Sequence, residues 1–302
     1  MAGVKKYRGV VVPMITPFTA EGKIDIAATE KVVEHLISGG CLPFILGTTG
    51  EFACVPVSER AGFVEATVKT AGGRCLTYAG IASNCYAETV DAAKRYVDLG
   101  IDCVVANLPS YYPLAPENML RYFEKLADDV PAPLMLYNIT ITTHMSIPLD
   151  VVEKLSHHPN IVGLKDSEKN EERFEEALGK WKDREDFSHF TGTAALCTMA
   201  LLRGSDGIVP STANFVPQLY KDLYDAAVSG DIDKANKLQE KNAALGLIYQ
   251  KGRVLSQSLP ALKVIMNELG LCGPSVLPPM LEPGEEEKAD ILAKLAEAGI
   301  TK

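Results

Sequence analysis

Four stretches of this sequence carry side chains that could work on a carbonyl compound. In "NIVGLKDS" (160–167), Lys165 follows Ile161, Val162 and Leu164, three apolar residues interrupted only by Gly163. A run this apolar reads as a buried strand, and an ammonium is among the groups least often buried without a partner. Either the lysine snorkels to solvent from the strand end, or its amine sits in a dry place. There, desolvation would lower its pKa and free it as a nucleophile. "LMLYNI" (134–139) puts Met135, Tyr137 and Ile139 on one face by period-two alternation, so Tyr137 can point inward one strand before Lys165. "GTTGE" (47–51) offers consecutive hydroxyls, Thr48 and Thr49, in a glycine-flanked turn whose backbone N–H groups can approach an anion. "SYY" (110–112) adds two phenols. Each feature has an ordinary reading, as a core aromatic or a strand-to-helix turn. Together, a lysine, several hydroxyls and an anion-binding turn, with no histidine or metal among them, point to carbonyl chemistry.

The elements that must position these residues follow from hydropathy. Strand-like runs recur at 9–18, 43–49, 75–82, 103–109, 134–139, 161–167, 187–193 and 207–213, with amphipathic stretches such as "IAATEKVVEHLISGG" between them. Strand–helix alternation implies parallel βαβ units. Eight of them predict a closed (β/α)₈ barrel, rather than a doubly wound sheet, since no GxGxxG follows the first strand. Residues 1–213 are expected to form the barrel. Residues 214–302 are expected to form a C-terminal helical region packed on it, with Asp231 or Asp233 as a helix N-cap. In such a barrel, catalytic groups come from the C-terminal strand ends, which is where Lys165 and Tyr137 fall. Alternation along 161–167 sets Ile161, Gly163, Lys165 and Ser167 toward the lumen, with Gly163 leaving room beside the lysine. Val162 and Leu164 are set toward the outer helices.

Bulk properties remove other classes. The 302-residue chain is 47% hydrophobic and 23% charged, which reads as globular. Its net charge of -9 argues against a nucleic-acid partner. No apolar run is long enough for a membrane span. Pro13 and Pro17 interrupt the N-terminal apolar run, and no small-residue cleavage site follows, so no signal peptide is expected. Seven scattered cysteines without CxxC spacing predict free thiols and a cytoplasmic protein. Five histidines without helical i, i+4 pairing give no metal site.

With "PMITPF", "GTTGE" followed by "ER" (59–60), "PSYYP", "LYNI", "GLKDS" and "GIVPSTAN" in this order, the chain resembles the dihydrodipicolinate synthase / N-acetylneuraminate lyase family of class I, pyruvate-handling aldolases. The resemblance runs from about residue 8 to 280. It implies a (β/α)₈ barrel with a helical extension, usually a homotetramer built as a dimer of dimers. It also implies a 2-oxo acid substrate, and a covalent imine in place of any cofactor. Residue by residue, it makes Lys165 the Schiff-base lysine, Tyr137 the proton-shuttling tyrosine and Thr48 the hydroxyl relaying protons to a second tyrosine. That tyrosine is Tyr111, reaching into the neighbouring subunit's site, ahead of Tyr112. Thr49, with the Thr48 backbone, matches the keto-acid carboxylate pocket, and Val209 the packing against the imine. Ser167, Gly192 and Thr193 match contacts to the variable part of the substrate.

Two departures narrow the implied activity. The family's dihydrodipicolinate synthases carry an arginine for the second substrate's carboxylate shortly after the strand-five tyrosine, where this chain has Thr142. Loss of a bidentate clamp is not conservative. The acidic residues of neuraminate lyases after strand seven are replaced by "TGTAAL". The expectation is therefore an aldolase releasing pyruvate from a 2-oxo-3-deoxy sugar acid or 4-hydroxy-2-oxoglutarate. A synthase, a neuraminate lyase or an imine-dependent dehydratase are alternatives, and a non-catalytic keto-acid-binding regulator is the alternative from another class. His144 is either a substrate contact or an exposed loop residue.

Overall fold

The computed structural model describes residues 5–301. Its strands are β1 (Gly9–Pro13), β2 (Leu42–Ile45), β3 (Tyr78–Gly80), β4 (Cys103–Asn107), β5 (Leu134–Asn138), β6 (Ile161–Asp166), β7 (Ser188–Thr191) and β8 (Gly207–Ile208). Each pairs in parallel with the next and β8 pairs with β1, closing the barrel that the strand–helix alternation predicts. Helices lie between successive strands, and helix Pro217–Val228 after β8 packs on β1. Helices Ile232–Gln250, Leu255–Glu268 and Glu285–Glu297 complete the chain. Side-chain caps start several of these helices. Asp25 accepts from Ala28 N–H at 2.9 Å, Asn170 from Arg173 N–H at 3.0 Å and Asp231 from Lys234 N–H at 3.1 Å, each worth about 1 kcal/mol. Of the two aspartates expected at that last boundary, Asp231 is the cap.

Alternation along the strands splits the core in two. Val10, Val12, Val104, Ala106, Leu134, Leu136 and Leu164 join the helices in an outer shell. Val11, Phe44, Tyr78, Cys103, Val105, Met135, Tyr137, Phe190 and Val209 fill the lumen. The expected inward set Met135, Tyr137 and Ile139 is observed.

β6 departs from the simple alternation. Ile161 pairs with Leu134, whereas Met135 pairs with Gly163, so Val162 is an extra residue in a bulge. A bulge shifts the facing of what precedes it. Ile161 accordingly packs in the outer shell and Val162 against the lumen cluster, the reverse of the period-two expectation. From Gly163 on, the alternation holds. The glycine's purpose also differs from the expected one: a Cβ there would strike the Ser188 carbonyl oxygen of β7, so Gly163 permits close strand approach rather than space beside the lysine.

Candidate active site

Lys165 is the penultimate residue of β6 and stands opposite Tyr137 of β5 and Phe190 of β7. Its side chain points into the lumen and is 4% exposed. Nζ lies 3.8 Å from the Tyr137 ring centroid and 5.0 Å from that of Phe44. Burial holds its pKa below the ordinary lysine value, opposed only by Tyr137, with no carboxylate contributing. Such an amine is poised to attack a carbonyl carbon. Phe44 was missed by the sequence reading. Its position, three residues before Gly47 on an inward-facing site of β2, marks only a core aromatic.

The residue that makes room for Lys165 is Gly192. A Cβ there would lie 3.2 Å from Lys165 Cε and 3.1 Å from Ser167 Cβ, and would overlap the Ser167 hydroxyl. Gly192 N–H donates to Asp166 O at 2.7 Å, which draws the loop after β7 onto the end of β6. Lys165, Ser167 and Gly192 are thus brought together. Val209 is buried in the same lumen cluster as Tyr137 and Phe44. Thr193 is buried, and its hydroxyl has no partner among the described residues.

Thr48 and Thr49 lie in the turn after β2, bracketed by Leu46 at φ 54° and Glu51 at φ 55°. Thr48 O accepts from Glu51 N–H at 3.1 Å, while the Thr48 and Thr49 N–H groups donate to no acceptor among the described residues. Successive free N–H groups in a turn make an anion-accepting concavity. Arg60 of the "ER" pair secures the following turn, with Nε donating to Val55 O and Nη2 to Phe52 O, both at 3.1 Å.

The strand ends are stiffened from the outer side. Asp166 accepts from Asn138 Nδ2 at 2.9 Å, from Arg173 Nε at 2.7 Å and from Glu168 N–H at 3.0 Å. Asn138 Oδ1 accepts from Ile147 N–H at 3.0 Å, and Ser146 Oγ donates to Glu168 Oε2 at 2.6 Å. The neighbours of the two lumen residues in sequence, Asn138 after Tyr137 and Asp166 after Lys165, therefore lock the two strands and their loops together. This role was not read from sequence, although two polar residues at outward positions of apolar strands were the available signal.

Tyr111 is not brought to the lysine within one chain. It is 76% exposed and meets Tyr112 edge-on at 5.0 Å, and its backbone N–H donates to Asn84 Oδ1 at 3.1 Å. His144 is exposed at φ 57°, ending the short helix Thr140–Thr143. Thr142, half-buried on that helix, turns its hydroxyl back to Ile139 O at 3.5 Å. Among the described residues, no group of three or more His, Cys, Asp or Glu side chains is arranged to hold a metal. No helix there is long and apolar enough to cross a membrane.

The dihydrodipicolinate synthetase family model matches residues 6–298. A 4-hydroxy-tetrahydrodipicolinate synthase from Gluconobacter oxydans (strain 621H) is 32% identical over 297 residues, covering 98% of each chain. The probable 2-dehydro-3-deoxy-D-pentonate aldolase YjhH of Escherichia coli K12 is 31% identical over 304 residues, covering 98% of this chain and 99% of that one. The crystal structure of YagE, a prophage protein of the dihydrodipicolinic acid synthase family from E. coli K12 in complex with pyruvate, superimposes with a TM-score of 0.91 at 27% identity. That match covers 97% of this chain and 99% of YagE.

Proposed function

The chain belongs to the dihydrodipicolinate synthetase family and is a lyase-type enzyme, and from that premise we propose that it is a class I aldolase working through an imine at Lys165. The observation carrying this reading is the buried amine, stacked on Tyr137 and free of any carboxylate. The unprotonated amine adds to the keto carbon of a 2-oxo acid, and the carbonyl oxygen leaves as water with a proton from the Tyr137 hydroxyl, so that the imine is left protonated. The protonated imine accepts the electron pair of the C3–C4 bond as it breaks. The Tyr137 phenolate left by imine formation takes the C4 hydroxyl proton and an aldehyde departs. The resulting enamine is protonated at C3, and water then releases pyruvate and the lysine. The imine is itself the electron sink, so the reaction calls for no cofactor. Thr49 and the Thr48 backbone hold the carboxylate, Val209 packs beside the imine, and Ser167, Gly192 and Thr193 face the tail.

Thr142, in place of a carboxylate-binding arginine, favours a 2-oxo-3-deoxy sugar acid or 4-hydroxy-2-oxoglutarate as substrate. The name of the aldolase YjhH supports the sugar acid. The synthase reading draws on the name of the Gluconobacter relative. The exposed Tyr111 ring supports a homotetramer in which it completes a neighbour's site through Thr48. Seven unpaired cysteines fit a cytoplasmic location. Borohydride reduction in the presence of pyruvate should add the reduced adduct to the Lys165 peptide, and trapping that persists in Lys165→Ala refutes the assignment. A panel of oxo acids then separates the outcomes: pyruvate release marks the aldolase, and its absence counts against it.

A further inference from the structure

Beneath the Thr48–Thr49 turn lies a second buried lysine that the proposed chemistry does not use. Lys263, in helix Leu255–Glu268, and Glu51, the last residue of "GTTGE", form an ion pair at 2.5 Å with both side chains 0% exposed. Lys263 Nζ also donates to Ser275 O at 2.8 Å and sits 4.1 Å from the Phe18 ring centroid. The other carboxylate oxygen, Glu51 Oε2, accepts from Leu277 N–H at 3.4 Å. A buried ion pair contributes little net stability, because desolvation offsets most of the attraction. An apolar pair would fill this space at lower cost, so the placement of the charges calls for another reason.

The backbone supplies one. Glu51 stands at φ 55°, and Leu46, at the other end of the turn, at φ 54°. L side chains rarely adopt that region, and such residues persist only where the surroundings over-determine them. The turn between them is tied down on one side by Thr16, whose hydroxyl donates to Gly50 O at 2.5 Å. On the other side, the Glu51 side chain ties the turn to helix Leu255–Glu268 through Lys263 and to the segment after that helix through Leu277 N–H. Relaxing Glu51 out of the left-handed region would rotate the peptide units before it, including the free N–H groups of Thr48 and Thr49.

We propose that the Glu51–Lys263 pair is a positioning device that holds the Thr48–Thr49 turn in its carboxylate-accepting shape. It thereby makes the C-terminal helical region a working part of the barrel's site. Both residues act through the turn and touch no reacting atom. The inference rests on the reading that this turn binds the keto-acid carboxylate.

The test is borohydride trapping at Lys165 as a function of pyruvate concentration, with pyruvamide, the neutral amide, as a parallel probe. Glu51→Gln should raise the half-saturating pyruvate concentration at least tenfold and leave the saturated trapping rate within about twofold. The pyruvamide curve should not move. A purely structural role would instead reduce the trapping-competent fraction for both probes at unchanged half-saturation, and that result overturns the proposal. Single substitutions can unfold a protein by orphaning a buried charge, so Glu51→Leu/Lys263→Met serves as the second variant, with no charge left over. It should fold and still show the pyruvate-specific shift, and wild-type pyruvate saturation in that double variant also overturns the proposal. If the wild-type protein does not trap pyruvate at Lys165, it is the aldolase reading that fails.

Discussion

Gly192→Ala tests the geometry around the lysine most directly. The position has no left-handed backbone requirement, so alanine is disfavoured there only by space. The new methyl would sit 3.2 Å from Lys165 Cε and 3.1 Å from Ser167 Cβ, where ordinary contact begins at 3.4 Å. The Ser167 hydroxyl can rotate away. The two carbons cannot, and the lysine chain must yield by a few tenths of an ångström or leave its rotamer. An off-rotamer side chain costs about 0.5–1.5 kcal/mol, and a 1 Å misplacement of a reacting group costs roughly 10²-fold in rate. Together these place the loss of imine formation at about tenfold, or ~1.4 kcal/mol. The assay is the rate of borohydride-trapped pyruvate adduct by intact mass, with fluorescence of the single, fully buried Trp181 reporting the fold. Adding Ser167→Ala removes the overlapping hydroxyl but neither carbon contact, so it should restore only part of the rate. Wild-type trapping by a folded Gly192→Ala protein would refute the claim that this glycine makes the space. Complete recovery in the double variant would show that the serine hydroxyl alone, and not the lysine chain, carries the effect.

Two further outcomes are expected. His189 is fully buried on β7 beside Asp166, Arg173 and Lys5, and burial pushes its imidazole from 6.5 down to about 4. The unfolded chain therefore binds this proton at a higher pH than the native one, so stability falls as pH drops from 6.5 toward 4 and is unaffected above that window. Between pH 7 and pH 5 the loss is about 2 kcal/mol. Denaturation followed at Trp181 should show it in the wild type and not in His189→Asn, whose overall stability is lower but flatter with pH; equal slopes would reject this account. For Tyr111, dilution or interface substitutions that give a monomer should lower turnover by at least tenfold. A fully active monomer in sedimentation would remove Tyr111 from the site.

The sequence exposed the barrel and the inward lysine because both depend on periodicities that burial enforces. Lys165 and Tyr137 could be placed from alternation alone, since a lumen residue on a closed barrel has one face to choose, whereas Val209 was named only through the family resemblance. Val162 could not, because a bulge is set by how β5 and β6 pair and nothing in the string "IVGLKD" marks the extra residue. Gly163 and Gly192 were legible as glycines but not by purpose: which backbone or side chain approaches each is fixed by a strand far away in sequence. The Asn138–Asp166–Arg173 network was hidden for the same reason, since its members gain meaning only when β5, β6 and the following helix start converge. Tyr111 carries its signal entirely in the family resemblance, because one chain leaves it facing solvent.

The two buried lysines show what decides the use of an amine once it is inside. Both lose solvation, which lowers the pKa of each. Lys165 is compensated by ring faces and a phenol, which attract a cation weakly, so the neutral form remains within reach and the nitrogen lone pair stays free. Lys263 is compensated by a carboxylate and a backbone carbonyl, partners that only the ammonium satisfies fully and that a neutral amine would leave short of a proton. The same burial therefore leaves one lysine able to attack a carbonyl and commits the other to hold a carboxylate. It follows that trapping should label Lys165 and leave Lys263 unmodified. Removing Glu51 would not convert Lys263 into a second nucleophile, because the Ser275 carbonyl and the closed packing around it remain.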